Sequence, residues 1–339
     1  MNTIQLIVDS IKQETRDTAT FYLRPANGER VAYQAGQFIT LVFAHHEEEI
    51  TRSYSLSSSP HEELLSITVK RISNGEISRF MLSHVKPGDV LTAIQSAGRF
   101  VLPENVIHRQ LIYFAAGSGI VPVFSQLKYA LAKGIDLQFT LVYSSQSNTD
   151  IIFKSQLDEL ALAHASRLSI KYLISDEANR LNNLMVEKLV KQLTNGHYDD
   201  TLYYICGPYA YMRMIQFALH YMGVHSGNIH KENFVLETIP ITSTITNFPP
   251  HKIRIHLKNE WYDLMVGENQ SILQAALQNN IQLPYSCRSG ACSACFAKCT
   301  SGKVEVTSNE VLTPEDMKNG YILTCTGHPL SDDVVIKFG

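Results

Sequence analysis

The chain has 339 residues, of which 45% are apolar, and its net charge is −3 at neutral pH. This length indicates two or three domains with cores of their own, and the near-neutral charge offers no basic surface for nucleic acid. The start of the chain has no export signal, and the longest apolar run, "LIYFAAGSGIVPVF", is about fourteen residues, too short to cross a bilayer. We therefore expect a soluble, cytoplasmic protein without membrane insertion.

Short runs rich in β-branched and aromatic residues occupy the N-terminal third of the chain. The clearest are "ATFYLRP", "QFITLVF", "RSYSLSS" and "LSITVKRI", and the turn signals "PANGE", "SNGE" and "KPGD" lie among them. Such runs predict strands, and the stretches with glycine and proline predict turns. We predict a small antiparallel β-barrel over residues 1–106, because closure into a barrel leaves no exposed sheet edge.

Two motifs in the predicted barrel have residue types that suit a phosphorylated planar ligand. In "RSYSLSSSP", Arg52 and Tyr54 share one face of a strand, where a ring can stack on the tyrosine and a phosphate can bind the arginine. In "VKRISNGEISRF", Gly75 and Ser78 lie at the start of a predicted short helix, whose N–H groups can bind an anion. The alternatives are a half-exposed strand with a salt-bridged arginine and an ordinary turn with a helix cap.

From residue 107 onward, strands and helices alternate. The buried strand "QLIYFAAG" precedes the amphipathic helix "VPVFSQLKYALAKG", which ends at Gly134, and the alternation continues to residue 237. This order predicts an α/β doubly wound parallel sheet over residues 107–237.

Two turns of this predicted sheet suit a nucleotide. In "FAAGSGIVP", Gly117 and Gly119 allow the backbone to approach a pyrophosphate at the start of a helix. In "YYICGP", Cys206 ends a later strand at the carboxyl edge of the sheet, where ligands bind. The alternative for Cys206 is a buried core cysteine before a turn.

A segment rich in threonine and proline, residues 238–250, predicts a linker to a C-terminal domain at 251–339. In that domain "HKIRIHL" and "EWYDLMV" predict a hairpin and "SILQAALQNN" predicts a helix. After the cysteine-rich loop, "GKVEVT" and "DDVVIKF" are expected to close a small sheet.

The cysteines indicate a metal centre. "PYSCRSGACSACFAKC" contains four of the six cysteines, and a disulfide scaffold is not expected at this density. Cys287, Cys292 and Cys295 have the C-x4-C-x2-C spacing of plant-type [2Fe–2S] loops, and Cys325 in "GYILTC" is the expected distant fourth ligand. Zinc is the alternative, although it favours two well-separated cysteine pairs.

Taken together, these motifs resemble the ferredoxin–NADP⁺ reductase superfamily with a ferredoxin domain fused at the C-terminus. The likeness extends to the reductase components of ring-hydroxylating systems such as phenylacetyl-CoA oxygenase. It implies an FAD-binding barrel, a nicotinamide nucleotide sheet and a β-grasp ferredoxin domain. It also implies flavin residues at Arg52, Ser53, Tyr54, Ser55, Val69, Lys70, Arg71, Gly75, Ile77 and Ser78, nucleotide residues at Gly117, Ser118, Gly119, Pro122, Cys206, Gly207 and Pro208, and pocket residues at Glu232 and Phe234.

The sequence departs from the family pattern in two ways, which bear on the choice of nucleotide and on an additional cysteine. Gln146 and Asp176 stand where relatives that use NADPH often have basic residues, so NADH is the expected donor, while Arg180 nearby keeps NADPH open. Cys299 is an additional cysteine, and core packing is its expected role.

The resemblance implies an enzyme that passes hydride electrons from NADH or NADPH to FAD and then singly through [2Fe–2S] to an oxygenase or another electron-accepting protein. Tyr54, Ser55 and Cys206 would lie at the reacting rings. The alternatives are a cluster-based redox sensor and a reductase that serves a desaturase.

Overall fold

The computed structural model of the protein describes residues 3–45, 48–73, 75–103, 110–177, 179–234, 247–285, 287–290 and 292–338. The chain divides into two compact units, the first of which ends at Glu232 and the second of which begins at Asn233. No helix in the described ranges is both long enough and apolar enough to cross a membrane.

The N-terminal part of the first unit is an antiparallel barrel. Its elements, within the described residues, are β1 (Thr3–Thr15), β2 (Thr18–Pro25), β3 (Phe38–His45), β4 (Glu48–Ser55), β5 (Leu65–Lys70), α1 (Glu76–His84) and β6 (Val90–Ala97). The strands lie in the order β4-β3-β6-β1-β2-β5. A bridge between Leu56 and Ile67 joins the two outer strands and closes the sheet. Alternate apolar side chains, among them Phe21 and Ile39, fill its interior.

The remainder of the first unit is a parallel sheet between helices. Its elements are β7 (Gln110–Ala116), α2 (Ile120–Ala132), β8 (Gln138–Ser145), α3 (Lys154–Ala163), β9 (Leu168–Ile174), α4 (Asn183–Thr194), β10 (Thr201–Cys206), α5 (Tyr209–Tyr221) and β11 (Ile229–Glu232). The spatial order β11-β10-β7-β8-β9 reverses beside β7, so a topological switch point lies between β7 and β10. Apolar clusters cover both faces of the sheet, as expected for buried parallel strands.

In its described residues the second unit has a mixed sheet and two α-helices. Its elements are β12 (His251–Leu257), β13 (Glu260–Val266), α6 (Ile272–Gln278), β14 (Phe296–Ser301), β15 (Val304–Val306), α7 (Pro314–Lys318), β16 (Tyr321–Leu323), β17 (Gly327–Pro329) and β18 (Val335–Lys337). The main sheet has the order β13-β12-β18-β14-β16, with β12 and β18 parallel. A capping box between Ser271 and Gln274 starts α6, and its apolar face packs in the core of this unit, as expected for a β-grasp fold.

One sequence-based assignment in this unit is wrong. The runs "GKVEVT" and "DDVVIKF" were expected to close one small sheet. Instead β15 pairs with β17 in a separate two-stranded ribbon, while β18 lies in the main sheet. The strand β15 is short, and its side chains are half-buried rather than alternately buried and exposed. This pattern does not specify which partner strand is chosen.

The predicted linker, residues 238–250, lies for the most part outside the described residues. Its last part is described and belongs to the C-terminal unit. Phe248 exchanges hydrogen bonds with Asn269 and stacks on His328, with 4.2 Å between the ring centroids.

Candidate redox cofactor sites

Four cysteine side chains meet in the second unit. The Sγ atoms of Cys295 and Cys325 lie 3.2 Å apart. The backbone N–H of Cys287 donates to Cys292 Sγ at 3.4 Å, and that of Ser289 donates to Cys287 Sγ at the same distance. Backbone N–H groups aimed at the sulfur atoms favour the thiolate form, which is the form that binds metal.

The loop conformation that brings these thiols together depends on positive backbone angles. Arg288 has φ 58° and Gly290 has φ 80°. A Cβ atom on Gly290 would lie 2.3 Å from the carbonyl oxygen of Ser308, so only glycine fits there. The Ser308 hydroxyl in turn donates to the carbonyl of Ser289 at 2.9 Å and fixes the turn.

The thiols also act on one another's ionisation. Hydrogen bonds from Cys292 and Cys325 lower the pKa of Cys287. Hydrogen bonds to Cys287 and Cys295 raise the pKa of Cys325. One pocket therefore contains all four sulfur atoms, with three of the residues buried and Cys287 half-buried. Four thiols of this spacing and N–H environment fit a [2Fe–2S] cluster.

The described hydrogen bonds of the Cys299 thiol do not involve the four pocket cysteines. Cys299 is on β14, its half-buried thiol donates to the carbonyl of Ser301 at 3.1 Å, and its side chain packs against the core of the second unit. Burial raises the pKa of the Cys299 thiol. The contacts are those of a packing residue.

The strand β4 carries four of the predicted flavin residues, which differ in exposure. Arg52 and Ser53 are exposed, Tyr54 is half-buried and Ser55 is buried. Burial raises the pKa of Tyr54 to about 12, so its ring is a neutral stacking surface. The Ser55 hydroxyl is buried and has no hydrogen-bond partner among the described residues. Since buried hydroxyls are almost always paired, Ser55 fits a site whose ligand supplies the missing partner.

The next predicted segment, at the end of β5, has mainly structural contacts. Val69 is fully buried in the barrel core. Lys70 lies 3.6 Å from the carboxylate of Asp17, and the backbone N–H of Arg71 donates to the carbonyl of Asp17 at 2.8 Å. The Arg71 side chain is exposed and remains available to a ligand.

The start of α1 is a closed turn. The Ser78 hydroxyl donates to the carbonyl of Gly75 at 3.0 Å and accepts from the N–H of Ile72 at 3.1 Å. Ile77 is buried beneath it. Ser78 therefore shapes the turn, and the first-turn N–H groups, which have no intrahelical partner, are the groups that can bind a phosphate.

At the switch point of the parallel sheet, the turn after β7 lies close to the turn after β10. Gly117 has φ 53° in the turn after β7. A Cβ atom on Gly119 would lie 2.1 Å from the carbonyl oxygen of Cys206, and one on Gly207 would lie 2.9 Å from the Cβ of Ala116. The glycines therefore allow the turns after β7 and β10 to lie backbone against backbone at the place where the nucleotide pyrophosphate is predicted to bind.

The three remaining predicted residues of these turns flank the glycines. Ser118 lies between Gly117 and Gly119 and is half-buried. Pro122 is buried in the first turn of α2, and Pro208 precedes the first residue of α5. Each proline occupies a helix start, where its missing N–H has no cost.

Two tyrosines that sequence reasoning missed are hydrogen-bonded to the end of β7 and to the turn that follows it. The Tyr143 hydroxyl donates to the carbonyl of Gly117 at 3.0 Å and accepts from the N–H of Ile152. The Tyr211 hydroxyl donates to the carbonyl of Ala115 at 3.2 Å. In the sequence both residues look like ordinary core aromatics, and no local signal distinguishes them.

Cys206 and Glu232 are directly paired on the parallel strands β10 and β11. Burial raises the pKa of Glu232 to about 8, so its carboxyl group is mainly neutral at neutral pH. Burial, and then the charge of Glu232, raise the pKa of the fully buried Cys206 thiol. Phe234 is 41% exposed and lies in the second unit.

The residues predicted to select the nucleotide lie on adjacent loops. The backbone N–H of Asp176 donates to the carbonyl of Gln146 at 3.0 Å, which brings the loops after β8 and β9 together. Gln146, Asp176 and Arg180 are all exposed.

Comparison with known proteins identifies the domains. Residues 5–101 match the oxidoreductase FAD-binding domain, residues 114–217 the oxidoreductase NAD-binding domain, and residues 255–330 the 2Fe-2S iron-sulfur cluster binding domain.

Relatives match along the whole chain. A subunit of the 1,2-phenylacetyl-CoA epoxidase of Escherichia coli K12 is 30% identical over 98% of this chain and 97% of that protein. The ferredoxin reductase component of the 3-ketosteroid-9-alpha-monooxygenase of Rhodococcus rhodochrous is 30% identical over 98% of this chain and 96% of that protein. The solved structure of phthalate dioxygenase reductase shares the fold, with a TM-score of 0.62, 24% identity, and coverage of 99% of this chain and 98% of that chain.

The fold and its sites define a flavin- and iron–sulfur-containing oxidoreductase. The chain belongs to the ferredoxin–NADP⁺ reductase superfamily, in the group with a C-terminal [2Fe–2S] domain. The predicted fold class and the predicted cofactors FAD, [2Fe–2S] and NAD(P)H are confirmed. The protein transfers electrons from NAD(P)H through FAD to the cluster.

Proposed function

We propose that this chain is the cytoplasmic reductase component of an oxygenase system and that it uses NADH. The observation that carries the proposal is that one chain contains the four-cysteine pocket together with the flavin barrel and the nucleotide sheet. The two relatives described above are named as parts of an epoxidase and a monooxygenase, which favours an oxygenase as the final acceptor.

The order of the cofactors follows from electron counting. Nicotinamide gives two electrons as a hydride, the cluster accepts one, and a bound flavin accepts two and releases them singly. No general base is needed, so the residues of this chain bind and orient the cofactors and shield them from water.

In the barrel, the ring of Tyr54 would pack on the flavin and Arg52 would bind a flavin phosphate. The unpartnered Ser55 hydroxyl, which is buried, would donate a hydrogen bond to the flavin ring. The first-turn N–H groups of α1, shaped by Ser78, and the Arg71 side chain bind the remaining phosphate charge.

At the switch point, the Gly117–Gly119 turn and Gly207 admit the nucleotide, with its pyrophosphate at the N-terminus of α2. Cys206 and Glu232 form the floor of the nicotinamide site. A neutral Glu232 carboxyl group can donate a hydrogen bond there without placing a negative charge beside the site.

The adjacent loops of Gln146 and Asp176 support NADH as the proposed donor. They bring a neutral amide and a carboxylate to the place where a 2′-phosphate would lie, and a phosphate dianion near a carboxylate is disfavoured unless a cation compensates. Arg180 is the nearest candidate cation in the sequence of that loop.

The experiment is a cofactor and acceptor assay on the purified protein. We expect FAD on heat release and chromatography, two irons with acid-labile sulfide per flavin, and NADH-dependent reduction of cytochrome c. We also expect NADH-driven turnover when a purified oxygenase component from the same source is added. A pure FMN peak would overturn the flavin assignment, and zinc would overturn the cluster. Fast cytochrome c reduction without oxygenase turnover would point to another acceptor, such as a desaturase, and slow reduction throughout would point to a sensor.

A further inference from the structure

Helix α2 is bonded to the barrel through two consecutive buried side chains. Ser125 Oγ donates to the carbonyl of Ser58 at 2.5 Å, and Gln126 Nε2 donates to the carbonyl of Phe100 at 2.5 Å. The side chains of Ser125 and Gln126 are fully buried. We call these four residues the α2 joint. No sequence motif indicates it, and neither residue of the helix belongs to the cofactor sites described above.

Gln126 is the centre of the joint because both ends of its amide are bonded. Its Oε1 accepts from the hydroxyl of Tyr113 at 3.0 Å. Tyr113 lies on β7, the strand that leads directly into the Gly117–Gly119 turn. One side-chain amide therefore connects the barrel backbone to the strand that carries the nucleotide turn, and its orientation is fixed by the two different partners.

The barrel side of the joint has no spare room. Gly36 has φ 97°, and a Cβ atom on it would lie 2.0 Å from the carbonyl oxygen of Phe100 and 2.4 Å from Gln126 Nε2. The Phe100 side chain is buried in the core of the parallel sheet, 5.1 Å from the ring of Tyr204. The Tyr204 hydroxyl donates to the carbonyl of Val101 at 2.7 Å. The joint is therefore packed from both sides.

Through hydrogen bonds to backbone carbonyls, the joint connects chain segments that adjoin the two predicted cofactor sites. Ser58 follows the flavin residues Tyr54 and Ser55 by only a few positions, and Gln126 follows the nucleotide turn within the first two turns of α2. A shift of α2 against the barrel would therefore change the distance between nicotinamide and flavin. Hydride transfer depends steeply on that distance.

We infer that Gln126 is a positioning residue for hydride transfer, which sets the nucleotide turn against the flavin strand through its bonds to Phe100 and Tyr113. This inference rests on the transfer of hydride from NAD(P)H to FAD within this unit. Gln126 does not contact the reacting atoms, so its removal should slow the transfer step without weakening nucleotide binding.

The test compares Gln126→Met and Ser125→Ala with the wild-type holoenzyme. Gln138→Met is the matched control, because Gln138 is an exposed glutamine at the opposite end of the same sheet. Three quantities are measured on protein of equal FAD content: the anaerobic single-turnover rate of flavin reduction at saturating NADH, the dissociation constant for NAD⁺, and hydrogen–deuterium exchange of the peptide around Phe100. Deuterated NADH reports whether the hydride step is the one that slows.

We expect the rate of flavin reduction in Gln126→Met to be about ten-fold lower than in the wild type. Deuterated NADH should lower this rate further, because hydride transfer is then the slow step. The NAD⁺ dissociation constant should stay within about three-fold of the wild-type value. Exchange around Phe100 should rise, Ser125→Ala should show the same effects more weakly, and Gln138→Met should show none. The inference is overturned if the rate stays within about two-fold of wild type, or if weaker NAD⁺ binding or lost FAD accounts for the whole change. A wild-type protein that NADH does not reduce would overturn the proposed function itself.

Discussion

A Cβ atom added to Gly119 would lie 2.1 Å from the carbonyl oxygen of Cys206, so the two turns that flank the switch point touch backbone to backbone. This contact is the reason that glycine is needed between β7 and α2. A side chain at position 119 would separate the two turns.

The first prediction follows from that contact. Gly119→Ala must move one turn away from the other, and we expect kcat/KM for NADH to fall by about a hundred-fold or more while flavin absorbance is retained. Gly134→Ala is the matched control. Gly134 follows the same helix with φ 66° and has nothing within 4 Å of an added Cβ, so it should lose about 1 kcal/mol of stability and no activity. Unchanged kinetics in Gly119→Ala would mean that these two turns do not form the nucleotide site.

The second prediction concerns the unpartnered hydroxyl of Ser55. In flavin-free protein, Ser55→Ala should change the free energy of unfolding by less than about 0.5 kcal/mol, because no protein hydrogen bond is lost. In the holoenzyme the same change should slow flavin reduction by about ten-fold, which corresponds to the loss of one hydrogen bond of about 1.4 kcal/mol.

Ser57→Ala is the control for Ser55→Ala. The Ser57 hydroxyl is bonded to those of Ser66 and Thr68 at 2.8 and 3.1 Å, so its loss should cost about 1 kcal/mol of stability and leave the rate of flavin reduction unchanged. Denaturant unfolding and stopped-flow absorbance measure the two quantities. Equal stability losses in both variants would remove the case for a ligand at Ser55.

The third prediction is a pH dependence set by Glu232. Burial raises its pKa from 4.5 to about 8, so the folded flavin-free protein binds a proton that the unfolded chain releases. This contribution to stability is fully present below pH 4.5 and is lost as the pH rises to about 8. Glu232→Gln should flatten the decline, because its amide does not ionise. Chemical denaturation across this pH range is the measurement, and parallel curves for the two proteins would show that Glu232 is not buried as described.

The fourth prediction concerns nucleotide choice. The wild-type protein should favour NADH over NADPH by about ten-fold in kcat/KM, which is about 1.4 kcal/mol. Gln146→Arg should narrow this gap, because a guanidinium binds a phosphate through two hydrogen bonds. Gln138→Arg adds the same charge at the start of β8, the strand that precedes Gln146, and should leave the ratio of the two kcat/KM values unchanged. A native preference for NADPH would show that another cation, with Arg180 the first to be mutated, lies over the site.

Much of the fold could be predicted from the sequence because its signals are local. Alternating apolar strands and amphipathic helices specify the parallel sheet, and cysteine spacing specifies the cluster loop. The strands β1 and β6 were not predicted, because polar residues interrupt them and their pairing partners are distant in sequence. Gln126 and Tyr143 could not be recognised either, since each donates a hydrogen bond to a backbone carbonyl more than twenty residues away.

The path of electrons through this chain is tested most directly by Cys325→Ser. Loss of this ligand should prevent a stable [2Fe–2S] cluster and leave the flavin half intact, because Cys325 lies in the second unit. Cys299→Ser is the matched control and should retain the cluster, since its thiol bonds only to the backbone near Ser301 among its described contacts.

The measurement is anaerobic stopped-flow mixing of NADH with the wild-type protein and both variants, with ferricyanide reduction as a second readout. The account predicts loss of flavin absorbance followed by loss of cluster absorbance in the wild type and in Cys299→Ser. Cys325→Ser should show the first phase alone and keep its ferricyanide activity. Zinc in place of iron, or a Cys325→Ser protein that retains the second phase or loses its flavin, would contradict it.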